Sequence, residues 1–238
     1  MNIYCMIPAR IGSQRLKYKN LALIKNKALI EYSIINAIKT KLFNKIYINS
    51  DSDIFDFFSK KYKIDFYKRK KKYANSNAKS DDVIYDFLFN NKIDNGILVW
   101  LNPIAPLLNE KIISEVIKKF IKLKLSSAIT STAKQVHAIS DNKCINFNKK
   151  EKFAKTQDLN SIHLFNYAIM MWDIEKFKKQ YLKKNYCFFI SKFNNINIPE
   201  HNSFIVKTAY DLKIVENFLN YEKKLKTNTK YHSQIKYL

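Results

Sequence analysis

Apolar runs and helical stripes alternate through the first half of the chain. Residues 2–7 (NIYCMI) form a short apolar run that predicts a buried strand. A loop follows to about position 20. Residues 28–41 set Ile30, Ile34, Ala37 and Ile38 at helical spacing. Residues 45–49 alternate and are rich in Ile, which predicts a second strand. Residues 53–62 read as a helix and 64–67 as a third strand. A polar, basic loop covers 68–79, and Ser80 is placed to cap a helix reaching about position 91. Residues 97–101 (ILVWL) are continuously apolar, the pattern of a central parallel strand. An amphipathic helix over 110–123 and a strand over 127–132 complete the series.

The order β-α-β-α-β-α-β-α-β predicts a Rossmann-like α/β fold, with a mostly parallel sheet, right-handed crossovers and helices on both faces. Such sheets bind ligands at the carboxyl ends of their strands. The loops after Ile7, Asn49, Tyr67 and Leu101 all lie on that edge. The second half is less regular. Residues 134–165 read as short strands and turns, 163–172 as a strand, 173–180 as a short helix and 187–190 as a strand. A last helix starts at Thr208, with Leu212, Val215, Phe218 and Leu219 on its apolar stripe. Beyond about Lys226 the chain is polar and expected to fray. With no linker composition, 1–238 reads as one domain.

Charge changes this picture less than its size suggests. The formal net charge is +23, which raises the prospect of nucleic-acid binding. The excess is almost all lysine, however, and arginine stands only at positions 10, 15 and 69. Abundant Lys, Asn and Ile beside scarce Gly and Pro is the signature of an AT-rich coding sequence. The lysines scatter through the expected helices instead of forming one stripe, so nucleic acid is not the expected partner. Their expected effect is to draw polyanions such as nucleoside triphosphates to the surface. No apolar run is long enough to span a bilayer, and the loop from Pro8 interrupts the N-terminal apolar run too early for a signal peptide. Cys5, Cys144 and Cys187 lack metal spacing and read as reduced thiols of a cytoplasmic protein. His137, His163, His201 and His232 show no metal spacing either.

Against such a bias, the arginines and glycines that remain mark positions with physical work. Two of the three arginines and one of the two glycines fall within residues 8–15. The segment IPARIGSQRLKYKN, residues 7–20, leaves a buried strand carrying Arg10, Arg15, Lys17 and Lys19. Gly12 is expected to supply positive φ and close backbone approach to a ligand. Backbone N–H groups with Arg and Lys form a phosphate cradle. Neither a Walker loop nor a dinucleotide fingerprint is present.

This segment resembles the N-terminal signature of the sugar-acid cytidylyltransferases. Its spacing from Ala-Arg through Ser to Lys-Asn is similar to the acylneuraminate (CMP-sialic acid) enzymes, and GSQRL, residues 12–16, to the related enzymes for 3-deoxy-manno-octulosonate. Further segments extend the likeness: Tyr67-Lys68-Arg69, the run LNPIAPLL over 101–108, Asn166-Tyr167-Ala168-Ile169 beside an Asn-Gly-Ala-Ile pattern, and 187–190 followed by 203–212 as closing strand and helix. The resemblance implies CMP transfer from CTP to a sialic-acid-like sugar acid. It implies that Ala9, Arg10, Gly12, Ser13, Arg15, Lys19 and Arg69 hold the nucleotide. Arg10, Lys19 and Asn20 would be catalytic, and Asn102, Asn166 and Lys207 would meet the sugar acid. It further implies Mg²⁺ brought in with CTP, and a homodimer formed through an irregular excursion at about 134–164.

The departures are as informative. The family's closing strand carries two alternate aspartates that hold a divalent ion, and here those positions are Ile205 and Lys207. Neither side chain can bind a hard cation. Leu108 replaces an arginine, and Asn102, Ile104 and Ala105 replace Gln, Thr and Ser. Three readings stand open: Mg²⁺ held by the triphosphate and water, Lys207 supplying charge in place of the ion, or binding without catalysis. Asp211 reads as part of a capping box with Thr208, and Asp51 and Asp53 as turn and cap residues, with Asp51 the favoured alternative metal contact.

Overall fold

The computed structural model describes residues 1–75 and 77–221; the expected fraying after Lys226, and His232, lie outside them. In chain order, β1 (Ile3–Pro8) leads into a loop and a short hairpin, β2 (Leu23–Ile24) and β3 (Lys27–Ala28). Then come α1 (Leu29–Thr40), β4 (Lys45–Ser50), α2 (Asp56–Tyr62), β5 (Asp65–Lys68), α3 (Ser80–Asn90), β6 (Ile97–Leu101), α4 (Glu110–Lys122) and β7 (Ser127–Lys134). A second small hairpin, β8 (Ile139–Ser140) and β9 (Lys143–Cys144), precedes β10 (Ile162–Asp173), α5 (Ile174–Lys184), β11 (Phe193–Asn197) and α6 (Ala209–Tyr221).

Seven strands form the main sheet in the order β11-β7-β10-β6-β1-β4-β5. β1 pairs in parallel with β4 and β6, β4 with β5, and β11 with β7. β10 inserts between β6 and β7 and runs antiparallel to both. The Rossmann-like expectation therefore holds with one inverted strand. Alternation in β1 sends Cys5 and Ile7 to one face and Met6 to the other. On the first face they meet Ile30 and Ile34 of α1, Phe58 of α2 and Ile112, Ile113 and Val116 of α4. On the second, Met6 joins Ile84 and Phe87 of α3 and Ile174 and Phe177 of α5. Each such fully buried side chain contributes about 1.5–3 kcal/mol of transfer free energy.

Helix ends follow local chemistry. Asn109 caps α4 by accepting from Ile112 N at 3.0 Å, and Asp173 caps α5 through Lys176 N at 3.0 Å. Ser80 does not cap α3: Lys79 is the N-cap and no side chain bonds there. Instead Asp81 accepts from Cys187 N at 2.6 Å and Asp82 from the Tyr181 hydroxyl at 2.6 Å, which ties the start of α3 to α5 and to the segment after it. That use of the backbone explains why 187–190 is not the expected strand. The strand is β11, shifted toward the C-terminus. The expected helix at 53–62 opens as a 3₁₀ turn over Asp53–Phe55.

Scarcity of glycine leaves its mark at the C-termini. Lys41 and Lys63 end α1 and α2 at φ 55° and 53°, left-handed conformations that normally favour Gly. For an L side chain this conformation costs about 1–2 kcal/mol, offset in part by the greater freedom that Gly loses on folding. Lys63→Gly should therefore raise stability by about 0.5–1 kcal/mol in urea titration; unchanged or lower stability would show that the lysine stem packs well enough to offset the strain.

Candidate active site

A cleft of about 290 Å³ opens at the carboxyl edge of β1, β5 and β6. Arg10, Ser13, Lys19 and Asn20 line it from the loop after β1, Arg69 from the end of β5, and Trp100, Asn102, Pro103 and Ile104 from the end of β6. Tyr73, Asn75, Ala78, Ser80 and Val83 close the remaining side. The cleft thus stands where strand order makes ligand sites.

Its scaffold is a buried polar knot around Asn49, the penultimate residue of β4. The Asn49 carbonyl accepts from Ala9 N at 3.0 Å and from Arg69 Nη2 at 2.8 Å, and its Oδ1 accepts from Arg69 Nε at 2.7 Å. Arg69 N also donates to Ser50 O at 2.7 Å. Burial pushes the Arg69 guanidinium down to about 10, with Asp51 opposing, so it stays charged at neutral pH. Asp51 accepts from Ile11 N at 3.0 Å and so clamps the basic loop to β4. Arg10 reaches across to donate to Asn75 O at 3.1 Å, while the Asn75 side chain accepts from Asn77 N and Ala78 N. The far wall is anchored by buried Asp86, which accepts from Lys70 at 2.7 Å and from the Tyr67 hydroxyl at 2.5 Å.

Lys19 sits at the electrostatic centre. Its amide donates to Leu16 O at 3.2 Å, and the loop turns at Tyr18 with φ 54°. Burial, then the charges of Arg15 and Arg10, push its ammonium below the usual lysine range; Asp211 acts oppositely and Lys207 adds to the depression. Asn20 is buried and donates to Arg10 O at 3.4 Å, while its Oδ1 and the Trp100 Nε1 are buried without a protein partner. Both residues line the cleft, which makes one an acceptor and the other a donor available to a ligand.

Other residues singled out in the sequence stand elsewhere. Ala9 is fully buried and its N–H is spent on Asn49, so it shapes the loop from beneath. Gly12 does not adopt positive φ, and a Cβ there would meet nothing within 4 Å. The left-handed turn expected of it falls at Tyr18. Arg15 is exposed and acts on the cleft through its charge on Lys19. Asn166 is turned into the β10 irregularity, bonded to Thr130 at 2.6 Å and Thr132 at 3.3 Å. Beside it Tyr167 takes φ 57° and offers its carbonyl to Asn102 Nδ2 at 3.3 Å. The expected closing strand at 203–207 is irregular chain; Val206 N donates to Ile104 O at 2.8 Å and so hangs Lys207 on the cleft rim. His137 stacks on Phe153, His201 on Phe218, and His163 bonds to Asn197. The lining residues Trp100, Tyr73 and Asn75 were not anticipated. Trp100, one of only two tryptophans, at the carboxyl end of a central strand, was the available signal.

A protein-held divalent ion is not supported by these donors. Ile205 packs against the core, and Lys207 is a cation. Asp211 Oδ2 accepts from both Lys207 N and Thr208 N at 2.8 Å, while Asp211 N meets Thr208 Oγ1, which is the capping box foreseen. Asp51 accepts from Ile11 N through Oδ1, and Asp53 pairs with Lys68. Among the described residues no three His, Cys, Asp or Glu side chains group to hold a metal.

A mostly parallel sheet with a cationic cleft of about 290 Å³ at its carboxyl edge is the frame of a nucleotide-handling α/β enzyme. The chain belongs to the cytidylyltransferase family: the family model described as Cytidylyltransferase matches residues 4–235. It is 30% identical over 174 residues to a pseudaminic acid cytidylyltransferase of Campylobacter jejuni, covering 68% of this chain and 75% of that one. It is 30% identical over 231 residues to a CMP-N,N'-diacetyllegionaminic acid synthase of Campylobacter jejuni, covering 90% and 93%. In fold it is similar to a CMP:2-keto-3-deoxy-manno-octonic acid synthetase solved with CTP, at TM-score 0.66 and 13% identity, covering 93% of this chain and all of that one. Among the described residues no helix is long and apolar enough to cross a membrane.

The depressed Lys19 has a measurable consequence. Affinity for inorganic triphosphate should begin to fall at a lower pH than an ordinary lysine at about 10.4 would dictate, because the Lys19 ammonium is lost earlier. Lys19→Arg should flatten the fall, because a guanidinium stays protonated there; ionisation of the ligand cancels in the comparison. Identical profiles for the two proteins would remove Lys19 from the anion site.

Proposed function

We propose that this enzyme transfers CMP from CTP to the anomeric hydroxyl of a nine-carbon, sialic-acid-like sugar acid and releases pyrophosphate. The observation that carries it is the meeting of Arg10, Lys19 and Arg69 with Asn20 and Asn102 at one strand edge, in a chain of this family. Relatives named for pseudaminic and legionaminic acid point to the substrate class. The sugar oxygen attacks the α-phosphorus in line, the bond to the β-phosphate oxygen breaks, and the hydroxyl proton is lost to solvent or base. Arg10 and Lys19 balance the charge that develops, the main contribution expected of a preorganised site. Asn20 holds Arg10 in place through its carbonyl. Asn102 faces the acceptor side, and cationic side chains around the cleft meet the carboxylate of the sugar.

The enzyme is proposed to work in the cytoplasm, where CTP is available, as a homodimer. The excursion at 134–164 supports the dimer: it leaves Ile139, Ile145 and Phe153 exposed around a stacked His137–Phe153 pair. Exposed apolar side chains grouped in this way gain by burial against a second copy.

Two measurements test this reading. Pyrophosphate release should appear with CTP and pseudaminic, legionaminic or neuraminic acid, and Lys19→Ala should lower it by about 100-fold or more. CTP binding with no release from any sugar acid would favour a silent homologue, a reading that Ile205 and Lys207 motivate. Light scattering should give about 56 kDa, twice the 28.2 kDa chain; a monomer at micromolar concentration would refute the dimer.

A further inference from the structure

On the proposed function the cleft takes a triphosphate, yet among the described residues no set of side chains groups to hold the ion that the family resemblance implies. Two observations bear on how. The segment carrying Lys207 is bonded through Val206 N to Ile104 O, and Ile104 lines the cleft. The backbone of Lys207 is itself fixed by Asp211 at 2.8 Å, so the side chain starts from a defined point on the rim. From there its charge reaches Lys19, as do those of Arg10 and Arg15.

We propose that Lys207 takes the place of a protein-held divalent ion, so that the chain binds CTP through Arg10, Arg15, Lys19 and Lys207 with no metal required. This rests on the nucleotide reading above. Ile205 fits the same picture: packed on the core, it gives up a position that a hard cation would need filled by oxygen. A bound Mg²⁺ halves the charge of the free triphosphate, so a cleft built from monovalent cations gains nothing from the ion and loses attraction to the complex. The cations of the cleft are spread over separate loops, the basic loop after β1 and the rim segment before α6. A single triphosphate bridging both satisfies charges that otherwise repel one another.

Calorimetric titration of CTP in EDTA and in Mg²⁺ tests this. Wild-type affinity should be equal or higher in EDTA, and Lys207→Ala should weaken it by about tenfold there. Lys118→Ala, a lysine on the outer face of α4, removes the same net charge and should leave affinity unchanged. The double variant Ile205→Asp/Lys207→Asp should reverse the preference, binding weakly in EDTA and recovering with Mg²⁺. Wild-type binding that is lost in EDTA, or Lys207→Ala that matches Lys118→Ala, would overturn the proposal. Absence of CTP binding in both buffers would instead sink the nucleotide reading, and this inference with it.

Discussion

Everything at the carboxyl edge of this sheet hangs on one buried asparagine. Asn49 has no exposure, and its carbonyl and side-chain oxygen take three donors, from Ala9 and from two nitrogens of Arg69. Those donors come from the loops after β1 and β5, which flank β4 on either side. Without the knot, three chain ends would leave backbone groups and a guanidinium buried without partners, at about 1–3 kcal/mol each and more for the charge. With it, Pro8 and Arg10 are launched at a fixed angle and Arg69 becomes a wall of the cleft. Asp51, two residues on, repeats the device by holding Ile11 N. The cleft is thus preorganised from beneath by Asn49, Ala9 and Asp51, while Arg69 reaches its wall.

Arginine shows how a compositional bias can be turned into information. The chain spends lysine freely, and a surplus of +23 could hide any specific site. Yet Arg10 and Arg69 both line the cleft and Arg15 acts on Lys19. Arg offers a planar fork that lysine cannot replace, which is why Arg69 can satisfy two acceptors of Asn49 at once. The same bias explains the weak points. Where a glycine would serve, at the ends of α1 and α2 and at Tyr167 in β10, a bulkier residue accepts a left-handed backbone.

Much of the frame was legible because its signals are local. The apolar runs at 2–7 and 97–101 and the stripe at 110–123 recur within a residue or two as β1, β6 and α4. What escaped depends on distant partners. The inverted placement of β10 follows from the pairings it makes with β6 and β7, and no periodicity encodes that. The run at 187–190 has strand-like residues, but the Cys187 amide is claimed by Asp81, 106 positions away in sequence. Gly12 carried the composition of a tight turn, while the turn itself formed at Tyr18. The basic loop was legible by charge, whereas Asn49, an ordinary residue at the end of an ordinary strand, gave no sign of its role.

The electrostatics of the cleft follow from these placements. Around Lys19 stand Arg10, Arg15 and Lys207, against the single carboxylate of Asp211. Such a grouping is unfavourable in the free protein; burial first, and these like charges after it, lower the affinity of Lys19 for its proton. An arriving polyanion relieves it, so part of the binding free energy is repulsion already stored in the fold. Four monovalent charges differ from one divalent ion in a way that matters for chemistry. In the proposed complex they surround the triphosphate and leave its orientation to the backbone of the loop. Orientation in such a site must come from rigidity, which is the property that the knot at Asn49, the clamp at Asp51 and the Arg10–Asn75 contact confer. Under the proposed replacement of the ion by Lys207, the burden of positioning falls on the scaffold beneath the cleft.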